Sequence, residues 1–272
     1  MKTAQEYQKR LQRHLDELKW LYCELYPGRE DMFTQLCEQM EAWYQERPES
    51  EKKLDREREQ EPAWYSRQDM LGMMLYIDAF AGNLKGVKKK LPYLEACNVN
   101  YLHLMPFLDT PKGKSDGGYA VADYRKVQPA LGTMEELASL CSACHEKKMS
   151  VCMDFVMNHT SEDHEWAKRA LAGEKEYQDR YFFYDTPDIP QEFEKTVPQV
   201  FPTTAPGNFT WRDECKKYVM TSFYPYQWDL NYSNPVVFNE MVYNMLYLVN
   251  QGIDIVRICL LYTSDAADER SS

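Results

Sequence analysis

A short apolar run in the middle of the chain ends in two polar side chains, Asn158 and His159. The apolar and β-branched residues from 151 to 156 are typical of a buried strand, so the two polar residues are expected at its carboxyl end. Catalytic groups lie at that end of the strands in parallel α/β barrels. The run therefore predicts catalytic or binding chemistry here; a strand end that only satisfies its own hydrogen bonds is the alternative.

Strands and helices alternate on either side of this run. The predicted strands are 71–77, 100–105, 150–156 and 252–258, and the predicted helices are 84–97, 134–147 and 235–249. This alternation predicts a parallel sheet with right-handed crossovers. The stretch from 159 to about 229 lacks it and is rich in Pro, Asp and aromatic residues, so an inserted subdomain is expected there.

The beginning of the chain differs from the rest in amino-acid composition. Residues 1 to about 60 are rich in Glu, Gln, Lys, Arg and Leu, with apolar residues three and four apart from Leu11 to Leu25. This spacing predicts amphipathic helices, and therefore an all-helical N-terminal extension. Within the extension, the charged run 49–61 is expected to be a solvated helix face or a linker.

The composition limits the class of protein. With 272 residues, 44% hydrophobic and 14% aromatic, the chain can form one large domain or a domain with an extension. A net charge of −11 argues against nucleic-acid and anionic-membrane partners, which need clustered Lys and Arg. Because the chain has no apolar run of about 20 residues and no signal-peptide core, no membrane partner is predicted and a cytoplasmic location is expected.

The eight cysteines lie largely within apolar patterns, which indicates reduced, structural thiols. Cys141 and Cys144 have a redox spacing, but they fall in the middle of a predicted helix rather than at its N-terminus, where thiolates are stabilised. The scattered His and carboxylate residues form no recognisable ligand set, so no metal and no cofactor are predicted.

Several stretches together resemble a known family. They are 101–106 (YLHLMP), 114–121 (KSDGGYAV), 154–164 (DFVMNHTSEDH), 227–231 (QWDLN) and 252–257 (GIDIVR). In order and spacing they resemble the α-amylase family of glycoside hydrolases and transglycosylases, family 13, and within it the amylosucrases. The resemblance implies an α/β fold: the first half, four strands, of a (β/α)8 TIM barrel with an inserted subdomain after strand 3. The implied domains are a helical extension at 1–65 and a barrel at 66–258 with the insertion at about 160–228.

The resemblance also implies which residues bind substrate. Asp116 and Arg257 would fix a bound glucosyl ring, His159 would hydrogen-bond its hydroxyls, and Tyr119 would be an aromatic platform. A turn carboxylate is the alternative for Asp116 in its Ser-Asp-Gly-Gly context.

Two further substrate-binding residues and three supporting residues follow from the same resemblance. Phe223 and Gln227 would lie beside the sucrose subsites, although a core position is the alternative for Phe223. Asp154, Asn158 and Asp229 would organise hydrogen bonds rather than take part in the reaction.

The chain departs from the family after Ile258. Glycoside transfer with retention needs two carboxyl groups about 5 Å apart, and the family places the nucleophilic aspartate two residues after the arginine. Cys259 occupies that position here, and the sequence 259–272 resembles a translated sequencing adapter rather than the family, so it is interpreted as a non-native tail. Without the nucleophile and the fifth-strand acid, the chain is expected to be inactive, and four open-edged strands are expected to aggregate or remain molten.

The implied function is that of an α-glucosyl transferase that takes glucose from sucrose by double displacement and adds it to an α-glucan acceptor. A sucrose or α-glucoside hydrolase of the same family is the nearest alternative, because the acceptor loops lie beyond residue 258. A non-catalytic carbohydrate-binding protein is the third possibility if Cys259 is genuine. The oligomeric state is left open.

Overall fold

The computed structural model describes residues 2–259, so the predicted tail lies outside the described residues except for Cys259. The helices are α1 Lys2–Gln12, α2 Leu15–Leu25, α3 Glu30–Glu46, α4 Glu49–Gln60, α5 Ile77–Ala81, α6 Leu84–Lys89, α7 Leu91–Ala96, α8 Met134–Glu146, α9 Glu165–Leu171, α10 Lys175–Gln178, α11 Asp188–Glu194 and α12 Pro235–Asn250. The strands are β1 Gly72–Leu75, β2 Tyr101–Leu104, β3 Leu108–Asp109, β4 Asp123–Val127, β5 Ser150–Val156, β6 His159–Ser161, β7 Phe183–Tyr184, β8 Phe209–Arg212, β9 Lys217–Met220, β10 Gln227–Asp229 and β11 Ile255–Cys259.

The predicted parallel sheet is confirmed. Its strand order is β1-β2-β5-β11, with β1 parallel to β2 and β2 parallel to β5. Helices connect the successive strands, as expected when parallel strands must be joined by crossovers. The α/β fold class is therefore confirmed, whereas the four-stranded half-barrel with its insertion remains a prediction.

The helix predicted at 84–97 is two helices, α6 and α7, separated at Lys90. Asn83 caps the first by accepting a hydrogen bond from the Gly86 N–H at 2.9 Å. Pro92 lies in the first turn of the second helix, where its missing N–H costs no intrahelical bond. The proline therefore starts a new helix instead of continuing the old one.

The stretch that lacked helix–strand alternation contains short antiparallel strands. Strands β7, β9 and β8 form a three-stranded sheet in that order, and β6 pairs with β10. Buried aromatic rings hold this region together: Trp228 packs edge-to-face on Tyr181 and Phe183, with centroids 5.5 and 5.6 Å away. Strands of two to four residues carry too little periodicity to be read from sequence.

The described chain forms two compact units, one of residues 2–104, 134–153 and 238–256, the other of 105–133, 154–237 and 257–259. In the first unit, the run 49–61 forms helix α4, with an exposed face at 49, 50, 53, 57, 59 and 60 as expected, but the helix also has a buried side. Helix α4 buries Glu51 and Lys52, and Arg58 forms an ion pair with Asp254 at 2.6 Å. Glu51 and Arg58 pair with charges outside the helix, Arg47 and Asp254, and local sequence does not reveal these pairs.

The cysteines are free thiols, and those at 141, 144 and 152 are buried. Burial raises the pKa of the Cys144 thiol to about 12, and it also raises the pKa of Cys141. Burial at 141, 144 and 152 suits the structural role predicted for these thiols, whereas Cys97 is exposed. Within residues 2–259, no helix is both long and apolar enough to cross a bilayer.

Candidate active site

The candidate site lies at the carboxyl end of strand β5, and a second short strand that the sequence did not indicate follows directly after it. Strand β5 ends at Val156, and His159 begins a second strand, β6, whose register pairs it with Asp229 of β10. The buried Tyr124 hydroxyl donates to the carbonyl oxygens of Val156 and His159, at 2.8 and 3.1 Å. Sequence reasoning missed Tyr124, which fixes the turn between the two strands.

Three side chains that are far apart in sequence meet here; we call Asp116, His159 and Gln227 the central cluster. The Gln227 amide nitrogen donates to Asp116 Oδ2 at 3.1 Å and lies 2.9 Å from His159 Nε2. Its oxygen accepts the Tyr224 N–H at 3.1 Å, which fixes the amide so that the nitrogen faces the other two groups. Burial lowers the pKa of His159 to about 4, so the imidazole is neutral at pH 7.

A second group is centred on Asp154, whose side chain is fully buried. Its carboxylate accepts two hydrogen bonds from Arg257 Nη1, at 2.9 and 3.0 Å, and one from the Tyr119 hydroxyl at 3.0 Å. Asp154 therefore holds two of the predicted substrate-binding side chains in place. Burial and then the Asp154 charge raise the pKa of the Cys259 thiol.

The two groups meet at Tyr119. Its carbonyl oxygen lies 3.2 Å from His159 Nε2, while its hydroxyl binds Asp154. Phe223 is buried and its ring centroid lies 5.0 Å from that of His159. The structure thus brings together the residues that the sequence predicted for substrate binding, namely Asp116, Tyr119, His159, Phe223, Gln227 and Arg257.

The remaining predicted residues, Asn158 and Asp229, support the turn. Asp229 accepts the Asn158 amide at 2.7 Å and the Ser222 N–H at 2.6 Å. Burial raises the pKa of Asp229 to about 6, against the lowering effect of these hydrogen bonds. Both residues are buried and bonded to each other, an arrangement that suits a structural role.

The loop that carries Asp116 and Tyr119 depends on its glycines. Asp116, Gly117 and Gly118 all have positive φ, of 48°, 66° and 100°. A Cβ at Gly118 would lie 2.7 Å from the Pro106 Cβ and 2.9 Å from the Pro106 carbonyl oxygen. Only glycine combines this conformation with such a close approach to the backbone.

Substitution of Gly118 by alanine is expected to lower the free energy of unfolding by about 2 kcal/mol, because backbone strain adds to the overlap with Pro106. Gly113→Ala is the matched control, since Gly113 also has positive φ, of 78°, but no atom lies within 4 Å of an added Cβ. The control should lose about 1 kcal/mol from strain alone. Urea unfolding of both variants measures the difference, and equal losses would contradict the close-approach argument.

Among residues 2–259, no group of three or more His, Cys, Asp or Glu side chains is placed to hold a metal ion. The groups that the site presents are hydrogen-bonding and charged side chains beside a tyrosine ring. Such a set can bind a neutral polyhydroxylated molecule, whose hydroxyls both donate and accept.

Comparison with known proteins identifies the family. Residues 40–267 match the family described as α-amylase, catalytic domain. The chain belongs to the α-amylase family. This α-amylase-family chain is 35% identical over 178 residues to a trehalose synthase from Pimelobacter sp., covering 65% of the chain and 30% of that protein. It is also 35% identical over 182 residues to an α-glucosidase from Apis mellifera, covering 65% and 31%.

The chain is also similar to solved structures. A mutant of the isomaltulose synthase from Erwinia rhapontici NX5, in complex with its natural substrate sucrose, matches with a TM-score of 0.64 and 26% identity. The match covers 72% of this α-amylase-family chain and 35% of the synthase chain. The chain thus spans about a third of the length of these two curated relatives and of this structure.

Proposed function

We propose that this chain carries the glucosyl-binding part of an α-glucosyl-transferring enzyme that acts on sucrose. The observation that carries the proposal is the central cluster joined through Tyr119 to the Asp154–Arg257 pair. A neutral imidazole, a fixed amide, a carboxylate and a guanidinium converge there, and such a set suits the hydroxyls of one sugar ring. Relatives that bind sucrose and relatives that handle other α-glucosides support the same substrate class.

The proposed chemistry of the intact enzyme is retaining double displacement. A carboxylate attacks the anomeric carbon, a second carboxyl group protonates the leaving oxygen, and the glucosyl group then passes to an acceptor. Arg257 and the residue at 259 are two apart on β11, so both side chains project from the same side of the strand. Because Cys259 stands where the nucleophile is expected, the chain as written should not turn sucrose over.

Transfer to a growing α-glucan, as in amylosucrases, is the preferred form of this activity. Hydrolysis is the second candidate, favoured by the similarity to the Apis mellifera α-glucosidase. The proposed organisation is a helical extension at 1–65, a barrel at 66–258 with an insertion at about 160–228, and a tail from 259 derived from a sequencing adapter. A cytoplasmic location remains a prediction.

Glucose binding to the monomeric fraction of the 272-residue chain tests the proposal; this fraction is isolated first, because the open-edged strands are expected to aggregate. Gln227→Ala is expected to weaken glucose binding roughly tenfold, because one buried hydrogen-bonding side chain and the geometry of Asp116 are lost. Gln128→Ala is the control, since Gln128 bonds Thr110 at 3.3 Å rather than a member of the central cluster. Isothermal titration measures both variants. Absence of glucose binding to the unmodified chain, or equal effects of the two substitutions, would contradict the proposed site.

A further inference from the structure

Glu162 contacts both segments that carry the polar ends of the central cluster. One carboxylate oxygen, Oε1, accepts a hydrogen bond from the Lys114 ammonium, two residues before Asp116. The Glu162 N–H donates to the Tyr226 carbonyl oxygen at 2.8 Å, one residue before Gln227. A single residue therefore joins the loop that carries Asp116 to the turn that carries Gln227, whose side chains meet at 3.1 Å in the central cluster.

The Arg212 guanidinium reinforces the contact of Glu162 with the turn. It donates to Glu162 Oε2 at 2.5 Å and to the Pro225 carbonyl oxygen at 2.7 Å. It also lies over the ring of the buried Trp228, which follows Gln227 in the chain, at 4.9 Å from the ring centroid. Because three contacts fix the guanidinium, the Glu162 carboxylate is firmly anchored on the side of the turn.

Glu162 is ionised and largely shielded from water. The side chains of Glu162 and Arg212 are 15% and 16% exposed, whereas that of Lys114 is 54% exposed. Burial alone raises the pKa of Glu162, but the hydrogen bond from Lys114 and the charge of Arg212 outweigh it and lower the pKa. An ion pair with an exposed partner contributes little to the free energy of unfolding. The Lys114 contact is therefore better suited to fixing the position of the loop than to stabilising the fold.

The loop 114–121 is attached at both ends to the β6 region. At one end the Ser161 N–H donates to the Val121 carbonyl oxygen at 2.8 Å, and at the other end Lys114 binds Glu162. Asp116 lies between the two attachments, and two glycines follow it, which leaves the backbone there easily displaced. A shift of about 1 Å is enough to break the 3.1 Å hydrogen bond that its carboxylate accepts. Lys114 is the nearer attachment in sequence, so its loss would affect this carboxylate most.

We propose that Glu162 is a positioning residue: through Lys114 it holds the Asp116 carboxylate against the Gln227 amide, and it thereby sets the affinity of the central cluster for a sugar. Glu162 acts through Asp116 and does not itself contact the sugar. This inference rests on the proposed function, because it takes the central cluster to be the glucosyl site. It gives a role to a residue that the sequence analysis left without one.

NMR of the Gln227 side-chain amide in the sugar-free monomeric fraction tests the positioning itself. The unmodified chain should show an amide resonance shifted by the hydrogen bond to Asp116, and Asp116→Ala should remove that shift. Lys114→Met and Glu162→Gln should each move the resonance part of the way toward its position in Asp116→Ala. Lys114→Arg keeps the cation and should leave the resonance near its original position. The matched control is Lys112→Met, since Lys112 is an exposed lysine of the same segment.

Glucose titration of the same variants tests the consequence for binding. Lys114→Met and Glu162→Gln are expected to weaken glucose binding roughly fivefold, because the Asp116 carboxylate then spends less time within reach of a sugar hydroxyl. Lys114→Arg and Lys112→Met should remain within about twofold of the unmodified chain. The urea unfolding midpoint of Lys114→Met should stay close to that of the unmodified chain, which separates displacement of the loop from loss of folding.

The outcomes distinguish this inference from the function on which it rests. An unchanged Gln227 resonance in Lys114→Met would overturn the positioning role whether or not glucose binds. A shifted resonance with unchanged glucose affinity would also overturn it, because the displacement would then have no consequence for sugar binding. A shifted resonance in a chain that binds no glucose would overturn the proposed function, and with it the effect on affinity. An equal shift in Lys112→Met would indicate a general effect of charge in the loop and would overturn the argument from the ion pair.

Discussion

Replacement of His145 by glutamine is expected to lower the free energy of unfolding by about 3 kcal/mol at pH 6. His145 lies between two carboxylates, with Nδ1 3.3 Å from Glu51 and Nε2 2.9 Å from Asp254. Burial alone lowers the pKa of His145, but the two carboxylates overcome it and raise the pKa to about 9. Protonated His145 thus joins helix α4 to helix α8 and to the residue just before β11.

The charges around His145 determine how much stability the His145→Gln substitution removes. Arg47 lies 3.9 Å from Glu51, and Arg58 lies 2.6 Å from Asp254, which also accepts the Val151 N–H at 2.6 Å. Loss of the imidazolium leaves these two buried carboxylates with one cation each. Removing one charged group from a buried network lowers the free energy of unfolding, because the remaining charges stay desolvated without that partner.

The pH dependence follows from the raised pKa. A histidine whose pKa rises on folding contributes its full stability below the unfolded value of 6.5, and this contribution is lost as the pH rises through about 9. The difference in free energy of unfolding between the unmodified chain and His145→Gln should therefore shrink steadily between pH 6.5 and pH 9. Urea titrations at several pH values measure it, with the exposed His14→Gln as control. Parallel curves for the two proteins would contradict the bridging role.

The sequence predicted those parts of the fold whose signals are local. The run 150–156 is buried at each of its residues and the helix at 134–146 lies within one residue of its predicted end, because apolar periodicity and length are properties of neighbouring residues. Pro92 is also a local signal, but the prediction of a single helix at 84–97 did not take account of it.

Contacts between residues that are far apart in sequence could not be predicted from these local signals. Gln227 lies 111 residues from Asp116, and Glu51 lies far in sequence from both His145 and Asp254. Nothing in the charged run 49–61 distinguishes a buried Glu51 from a solvated one. The family resemblance supplied the names of the candidate site residues, whereas the contacts of Tyr124 and of the His145 network are seen only in the folded chain.

Replacement of Arg257 by methionine is expected to weaken glucose binding about 100-fold, since charge-assisted hydrogen bonds are the strongest single contacts available in the proposed site. The same change removes the ion pair of Asp154, whose side chain is 0% exposed while that of Arg257 is 56% exposed. Because the guanidinium is largely solvated, we expect a loss of only about 2 kcal/mol in the free energy of unfolding, less than for a fully buried pair.

A double substitution separates the two effects. Asp154→Leu combined with Arg257→Met removes both charges and should recover most of the stability, since no buried carboxylate is then left without its guanidinium. It should not recover glucose binding, because Arg257 is proposed to contact the sugar directly and Asp154 to orient Tyr119. Urea unfolding and isothermal titration of the two single variants and the double variant complete the cycle. If glucose binding returned together with stability, Arg257 would be a structural residue, and the proposed glucosyl site would lose this guanidinium.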